Sequence, residues 1–78
     1  MNYTIVGKKF VSFTASDGKT ISGTTVYAGT EMPEVEGLMV DKFFITAEKM
    51  PKSGVEVGRD VDIYFNKYGK VDKIIPLD

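Results

Sequence analysis

The alternation of apolar and polar residues from Val57 to Leu77 predicts a β-hairpin near the end of the chain. In the first half of this segment, every second residue is apolar, as in a strand with one face in solvent. These apolar residues are Val61, Ile63 and Phe65. The turn-forming segment Asn66 to Gly69 follows, and its glycine can adopt the positive φ that a short hairpin loop needs. A second β-branched run, Lys70 to Ile75, returns, and we expect Pro76 to end the strand ladder.

Two strands joined by a turn are predicted at the start of the chain. Tyr3 to Thr14 reads as extended, but its alternation slips at Gly7. This slip indicates either a bulge in one long strand or a break between two short ones. The segment Ser16 to Lys19 has strong turn residues, and Thr20 to Ala28 follows as a Thr-rich strand. Gly23, inside that strand, marks a bulge or a place where another group approaches the backbone closely.

A third strand follows a polar loop that we expect from Ala28 to Glu36. This strand, Gly37 to Ala47, carries apolar residues in both phases. Of its adjacent aromatic residues Phe43 and Phe44, one must therefore face the core and the other must face outward. Between the third and fourth strands, Glu48 to Ser53 can form one short helical turn or an irregular connection.

Five strands, the first long and bent, predict an all-β fold with one domain over residues 1–78. Their order and the short non-strand segment before the fourth fit a five-stranded Greek-key barrel of the OB type. An SH3-like barrel is the nearest alternative, because it also has five short strands. A plain antiparallel sheet that completes its core by dimerising is a third.

The composition argues against catalysis. The chain has no Cys and no His, so it lacks thiolate ligands, disulfides and the commonest general base. Asp60 and Asp62 lie two residues apart on a predicted strand and could share a cation, but alternate acidic residues are more typical of the solvated side of a strand. We therefore expect no enzyme, no metal and no cofactor.

No apolar run reaches membrane-spanning length and the first residues lack the order of a signal peptide, so we expect a soluble cytoplasmic protein.

The segments Phe65 to Lys70 and Ile74 to Leu77 resemble the end of the small OB-fold single-stranded-DNA-binding proteins of filamentous phages, the gene V type. The length and the long first strand are also similar. The resemblance implies a homodimer that contacts phosphates through Lys and Arg and stacks bases on Tyr and Phe. It also suggests a phage or mobile-element protein, which would act in the cytoplasm of the host cell.

The expected function is binding of single-stranded nucleic acid, most simply DNA, through a basic and aromatic face. An OB-fold ligand crosses strands two and three between the loops that join strands one to two and four to five. Lysines beside exposed aromatic residues suit a groove that follows the backbone and stacks bases. The candidate residues are Lys8, Lys9, Lys19, Tyr27, Tyr64, Lys67, Tyr68 and Lys70. Each tyrosine also has a purely structural alternative: Tyr68 can cover its turn, Tyr64 can pair across strands and Tyr27 can be half buried.

A protein-interaction module is the alternative function. In that case a small SH3-like or OB-like barrel would act through the apolar third strand and the acidic segment Glu31 to Glu36. The net charge of −1 excludes a generally basic nucleic-acid binder, and leaves open a basic face formed where the two ends of the chain meet.

Overall fold

The computed structural model describes residues 2–77, which form a single antiparallel sheet of five strands without a helix. The strands are β1 (Asn2–Thr14), β2 (Thr20–Glu31), β3 (Leu38–Thr46), β4 (Asp60–Phe65) and β5 (Val71–Pro76). They lie in the order β3-β2-β1-β4-β5. The predicted all-β fold of five strands is confirmed. Within residues 2–77 there is no helix long and apolar enough to cross a bilayer.

Strand β1 joins the two halves of the sheet. Its residue Thr4 lies opposite Gly29 of β2 on one side and opposite Asp60 of β4 on the other. The pairing with β2 shifts register between Ile5 and Gly7, so the predicted irregularity at Gly7 is a β-bulge in one strand of 13 residues. The alternative of two short strands is wrong.

The bulge changes which side chains of β1 face inward. Before it, Tyr3 and Ile5 are buried, and Ile5 lies opposite the buried Ala28. Beyond it, Lys8 lies opposite the buried Val26, so the even-numbered residues now take the inward side. The far end of the β1–β2 hairpin extends past the core, where inward-facing Phe10 is 70% exposed.

The core lies on the inward side of the sheet, where all five strands and the connection before β4 meet. Its buried apolar residues are Tyr3, Ile5, Val26, Ala28, Ile45, Val55, Val61, Ile63, Val71 and Ile74. The ring of Phe43 packs against this core, with its centroid 5.2 Å from that of Tyr3 and 5.6 Å from that of Phe65. Phe44 faces outward, which confirms the predicted division of the two aromatic residues.

The sheet is open between its edge strands β3 and β5. No strand pairing joins these two strands in the part of the chain that the structure describes. The Lys49 ammonium instead donates a hydrogen bond of 3.3 Å to the Val71 carbonyl of β5. The predicted helical turn between β3 and β4 is a single hydrogen-bonded turn, in which the Thr46 carbonyl accepts from the Lys49 and Met50 amides. It does not extend into a helix.

Three predicted boundaries differ from the structure. Strand β2 continues to Glu31, where a loop was expected, because Glu31 pairs with Leu38 across the hairpin. Gly37 stands outside β3, since its φ of 89° is left-handed rather than extended. The last strand is shifted by one residue, to Val71–Pro76: Pro76 pairs with Val61 and ends the strand as predicted, and the Leu77 amide donates one further hydrogen bond of 3.0 Å to the Asp60 carbonyl.

Both predicted hairpin turns are confirmed. Gly18 and Gly69 have φ values of 87° and 76°, which residues with a Cβ rarely adopt. The Asp17 carboxylate accepts one hydrogen bond, from the Lys19 amide at 3.0 Å. The Asn66 side-chain oxygen accepts two, from the Tyr68 amide at 2.9 Å and the Lys70 amide at 3.1 Å.

These bonds predict a difference in stability between the two turns. Replacing Asn66 by Ala removes two accepted hydrogen bonds and should lower the free energy of unfolding by about 1–2 kcal/mol. Asp17→Ala removes one and should cost about half as much. Equilibrium urea unfolding measures both, and Asn66→Asp, which keeps an acceptor oxygen, is the control. An Asn66→Ala variant as stable as the wild type would contradict the role of this side chain.

Candidate nucleic-acid interface

One surface of the sheet combines lysines with exposed aromatic rings. It lies on the solvent side of β1, β2 and β3, and we call it the outer face. Strand register forms it, because Lys9, Thr25 and Phe44 lie in one row across the three strands, and Gly7, Tyr27 and Lys42 lie in the next. The residues that line it are Lys9, Val11, Thr25, Tyr27, Lys42 and Phe44.

Both aromatic rings of the outer face lie against glycines. A Cβ on Gly23 would come within 2.6 Å of the Phe44 ring atom Cζ and of the Ile45 carbonyl oxygen. A Cβ on Gly7 would be 3.5 Å from the Tyr27 ring atom Cδ2. The rings therefore rest on bare backbone rather than standing away from the sheet, which confirms the close approach predicted at Gly23. Phe44 and Tyr27 are still 40% and 37% exposed.

The charge of the outer face is positive. Lys9 and Lys42 are exposed, and the residues lining this surface, all within the described range, include no Asp or Glu. Of the predicted acidic segment Glu31 to Glu36, Glu34 and Glu36 lie in the loop that joins β2 to β3, as expected, and Glu31 is the last residue of β2. A chain of net charge −1 thus carries a local basic surface.

A second basic surface adjoins the first at the open side of the sheet. We call it the β3–β5 gap; its lining includes Lys42, Phe44, Lys49, Lys70 and Val71. Because Lys42 and Phe44 line both surfaces, the outer face continues into this gap. Lys70 is the predicted site residue that lies here.

The tip of the β4–β5 hairpin holds two further candidates. Tyr68 is 74% exposed, and the Lys67 ammonium lies 5.2 Å from the centroid of its ring. The contact is a cation–π pair formed within the tip itself. Tyr68 therefore has a lysine beside it and a largely free ring surface.

Tyr64 lies on β4, opposite Lys73 of β5. The Lys73 ammonium is 4.8 Å from the centroid of its ring, and its hydroxyl donates to the Asp62 carboxylate. This hydrogen bond, together with the negative charge of Asp62, raises the pKa of Tyr64 above its usual value. Tyr64 thus pairs across the two strands, away from the outer face.

Two predicted lysines do not join the outer face. Lys8 lies on the inward side of β1, and its ammonium donates a hydrogen bond of 3.0 Å to the Val55 carbonyl. It holds the segment before β4 against the sheet. Lys19 lies just before β2, in the turn at the far end of the β1–β2 hairpin.

The structure thus brings Lys9 and Tyr27 together and adds three residues that sequence reasoning missed: Lys42, Phe44 and Lys49. Lys42 and Phe44 come close to Lys9 only through the register of β2 with β3, which periodicity does not give. The one available signal was Gly23, whose missing side chain makes room for the Phe44 ring.

The carboxylates considered as metal ligands are engaged by neighbouring side chains. Asp60 accepts a hydrogen bond of 2.7 Å from the Thr4 hydroxyl, and Asp62 accepts from Tyr64. Among residues 2–77, no three acidic side chains gather in a way that could hold a metal ion.

Comparison of the chain with protein-family models, with curated proteins and with solved structures gives no match. The geometry of the outer face and of the gap is therefore the basis for the function proposed below.

The close approach at Gly23 predicts a specific loss on substitution. Gly23→Ala would place a methyl group in contact with the Phe44 ring and the Ile45 carbonyl, so the ring must lift from the sheet. We expect a loss of about 1–3 kcal/mol in the free energy of unfolding. Urea unfolding measures it, with Ser22→Ala, the neighbouring position on the same strand, as control. Equal stability of Gly23→Ala and wild type would show that the ring is not held there.

The Asp62–Tyr64 hydrogen bond predicts a shift in tyrosine titration. Asp62→Asn should lower the pKa of Tyr64 toward its usual value of about 10. Because the folded-state pKa lies above the unfolded one, the bond favours the folded state at lower pH, and its benefit is lost as pH rises through the folded-state pKa. NMR titration of the tyrosine ring carbons measures it, with Tyr68 as the internal control. An unchanged Tyr64 pKa in Asp62→Asn would contradict the bond.

Proposed function

We propose that the protein binds single-stranded DNA without catalysis, as a homodimer with an OB-like arrangement of strands. The strand would lie across the outer face, with phosphates beside Lys9 and Lys42 and bases against Tyr27 and Phe44. From there it would run past the mouth of the β3–β5 gap, without filling it, toward Lys70 and the tip of the β4–β5 hairpin. The resemblance to the gene V type supports this proposal, and with it a place in the host cytoplasm if the chain is phage-encoded.

The observation that carries the proposal is the composition of the outer face. Two exposed aromatic rings and two lysines share one surface without a carboxylate in its lining. Single-stranded nucleic acid offers phosphates and flat bases in repeating order, so it complements alternating cations and rings. Stacking on each ring is worth about 1–3 kcal/mol and does not depend on sequence.

The order of the strands supports an OB-like arrangement. After the long connection that follows β3, β4 returns to lie beside β1, and this order of strands supports a Greek-key connection. The outer face spans β2 and β3, and the tip of the β4–β5 hairpin adjoins it through the gap, as in OB-fold ligand sites. A closed barrel would require β3 and β5 to come closer together and pair. We therefore propose an OB-like arrangement of strands that is open between β3 and β5.

The number of lysines limits the electrostatic contribution. If Lys9, Lys42 and Lys70 each neutralise one phosphate, the logarithm of the binding constant should fall with the logarithm of salt concentration at a slope of about −2. Binding should therefore be moderately salt-dependent, with stacking supplying much of the free energy.

Fluorescence anisotropy of a labelled thirty-nucleotide oligo(dT), titrated with protein at low and then moderate salt, tests the proposal. We expect binding that weakens as salt rises. Lys9→Ala/Tyr27→Ala should weaken it by about ten- to a hundredfold, because one stacking platform and one phosphate contact are lost. Tyr68→Ala/Lys70→Ala should weaken it if the strand reaches the hairpin tip.

Two matched controls separate the outer face from general effects. Phe10→Ala removes an exposed aromatic ring from the opposite side of the sheet, and Lys52→Ala removes an exposed lysine remote from the outer face. Both should bind as the wild type does. Absence of binding at low salt and high protein concentration would overturn the proposal.

A protein-interaction module is the second candidate. Leu38 and Val40 are exposed on β3, beside the acidic loop that precedes it, and could contact a protein partner. Binding through apolar side chains depends little on salt, whereas binding to a nucleic acid falls as salt rises. The salt series therefore distinguishes the two functions.

A further inference from the structure

The β3–β5 gap is the part of the sheet best suited to bind a partner. It separates two edge strands that pair with no further strand in the described part of the chain. Phe44 and Val71 give it an apolar floor, and Lys42, Lys49 and Lys70 surround it, while its lining contains no carboxylate within residues 2–77. Three cations beside an apolar floor suit an extended segment that alternates acidic and apolar residues.

The chain itself contains such a segment. The loop from Met32 to Gly37, which joins β2 to β3, is exposed at every residue. Glu34 and Glu36 alternate in it with Val35, whose side chain is exposed to solvent like that of Met32. We call it the acidic loop. It matches the gap in charge and in its apolar side chains.

The loop cannot fill the gap of its own copy. It precedes Leu38, the first residue of β3, whereas the gap begins near Lys42 and continues past Thr46, the last. A strand of this length spans about 25–30 Å. The two features therefore lie toward opposite ends of the same edge strand.

We propose that two copies of the chain pair with their β3 strands side by side and antiparallel, so that the acidic loop of each lies in the β3–β5 gap of the other. A two-fold axis then produces both contacts from one arrangement, because each copy supplies one loop and one gap. Val40 and Leu38 lie along the same edge and lose exposed apolar surface in this arrangement. This contact surface would form the homodimer proposed above, and the dimer would form without nucleic acid.

The small size of the core also favours association of two copies. Below about 80 residues a single core rarely supplies more than about 3–5 kcal/mol of stability, and this chain of 78 residues has no Cys to add a disulfide. Charge complementarity and added apolar burial would both stabilise the folded state of a dimer.

Analytical ultracentrifugation without nucleic acid tests the proposal. We expect the wild type to form a species of twice 8.6 kDa, whose dissociation constant rises with salt. Glu34→Lys/Glu36→Lys makes both the loop and the gap positive, and Lys42→Glu/Lys70→Glu makes both negative. Each variant alone should dimerise at least about tenfold more weakly, because like charges now meet. Lys49 is kept, since it bonds to the Val71 carbonyl.

An equimolar mixture of the two variants is the decisive sample. Each loop then meets a gap of opposite charge, so the mixture should regain a 1:1 dimer that neither variant forms alone. Lys19→Glu/Lys52→Glu, which makes the same change of charge remote from the gap, should dimerise like the wild type. Circular dichroism verifies that each variant folds, and Glu34→Gln/Glu36→Gln replaces the loop variant if it does not, with partial weakening expected.

Three results would overturn the proposal: a wild type that stays monomeric at every concentration, folded variants that dimerise as the wild type does, or a mixture that stays monomeric. Failure here is distinguishable from failure of the DNA-binding proposal. A monomer that binds oligo(dT) would remove only the dimer surface. A dimer with the expected charge pattern that binds no oligo(dT) would remove only the nucleic-acid function.

Discussion

The whole sheet depends on the short segment Tyr3 to Ile5, which pairs on both of its edges. On one side it pairs with the end of β2, and on the other with the start of β4 and with Gly58 and Arg59. It also buries Tyr3 and Ile5 in the core. The β1–β2–β3 half and the β4–β5 half share hydrogen bonds chiefly here, so their relative position is set by these few residues. The outer face and the hairpin tip can adjoin only because this junction holds.

Local chemistry made much of the fold predictable. The turns at Ser16 to Lys19 and Asn66 to Lys70 form as expected because a side-chain oxygen and a glycine specify each within four or five residues. The bulge at Gly7 was also visible, as a slip in alternation. The extent of β2 was not, because Thr30 and Glu31 are extended through pairing with β3 rather than through their own preferences.

The candidate site was less predictable, because the pairing of the strands, rather than local sequence, decides which side chains share a surface. A phase change at the bulge decides that Lys9 faces outward and Lys8 inward, so two adjacent lysines have different roles: one lies on the outer face, and the other bonds to the Val55 carbonyl. Phe44 reaches the outer face through cross-strand register, which sequence spacing does not encode. Composition indicated lysines near aromatic rings, and only the sheet shows which of them share a surface.

The open side of the sheet has a consequence for solubility. Exposed edge strands readily pair with other edges and start aggregates unless charged side chains interrupt them. Each edge strand here carries adjacent residues of opposite charge near its middle, Asp41 and Lys42 in β3 and Asp72 and Lys73 in β5. A further strand added at random would have to bury these charges without partners. These charges therefore oppose non-specific strand addition at both edges and favour a neighbour that complements them.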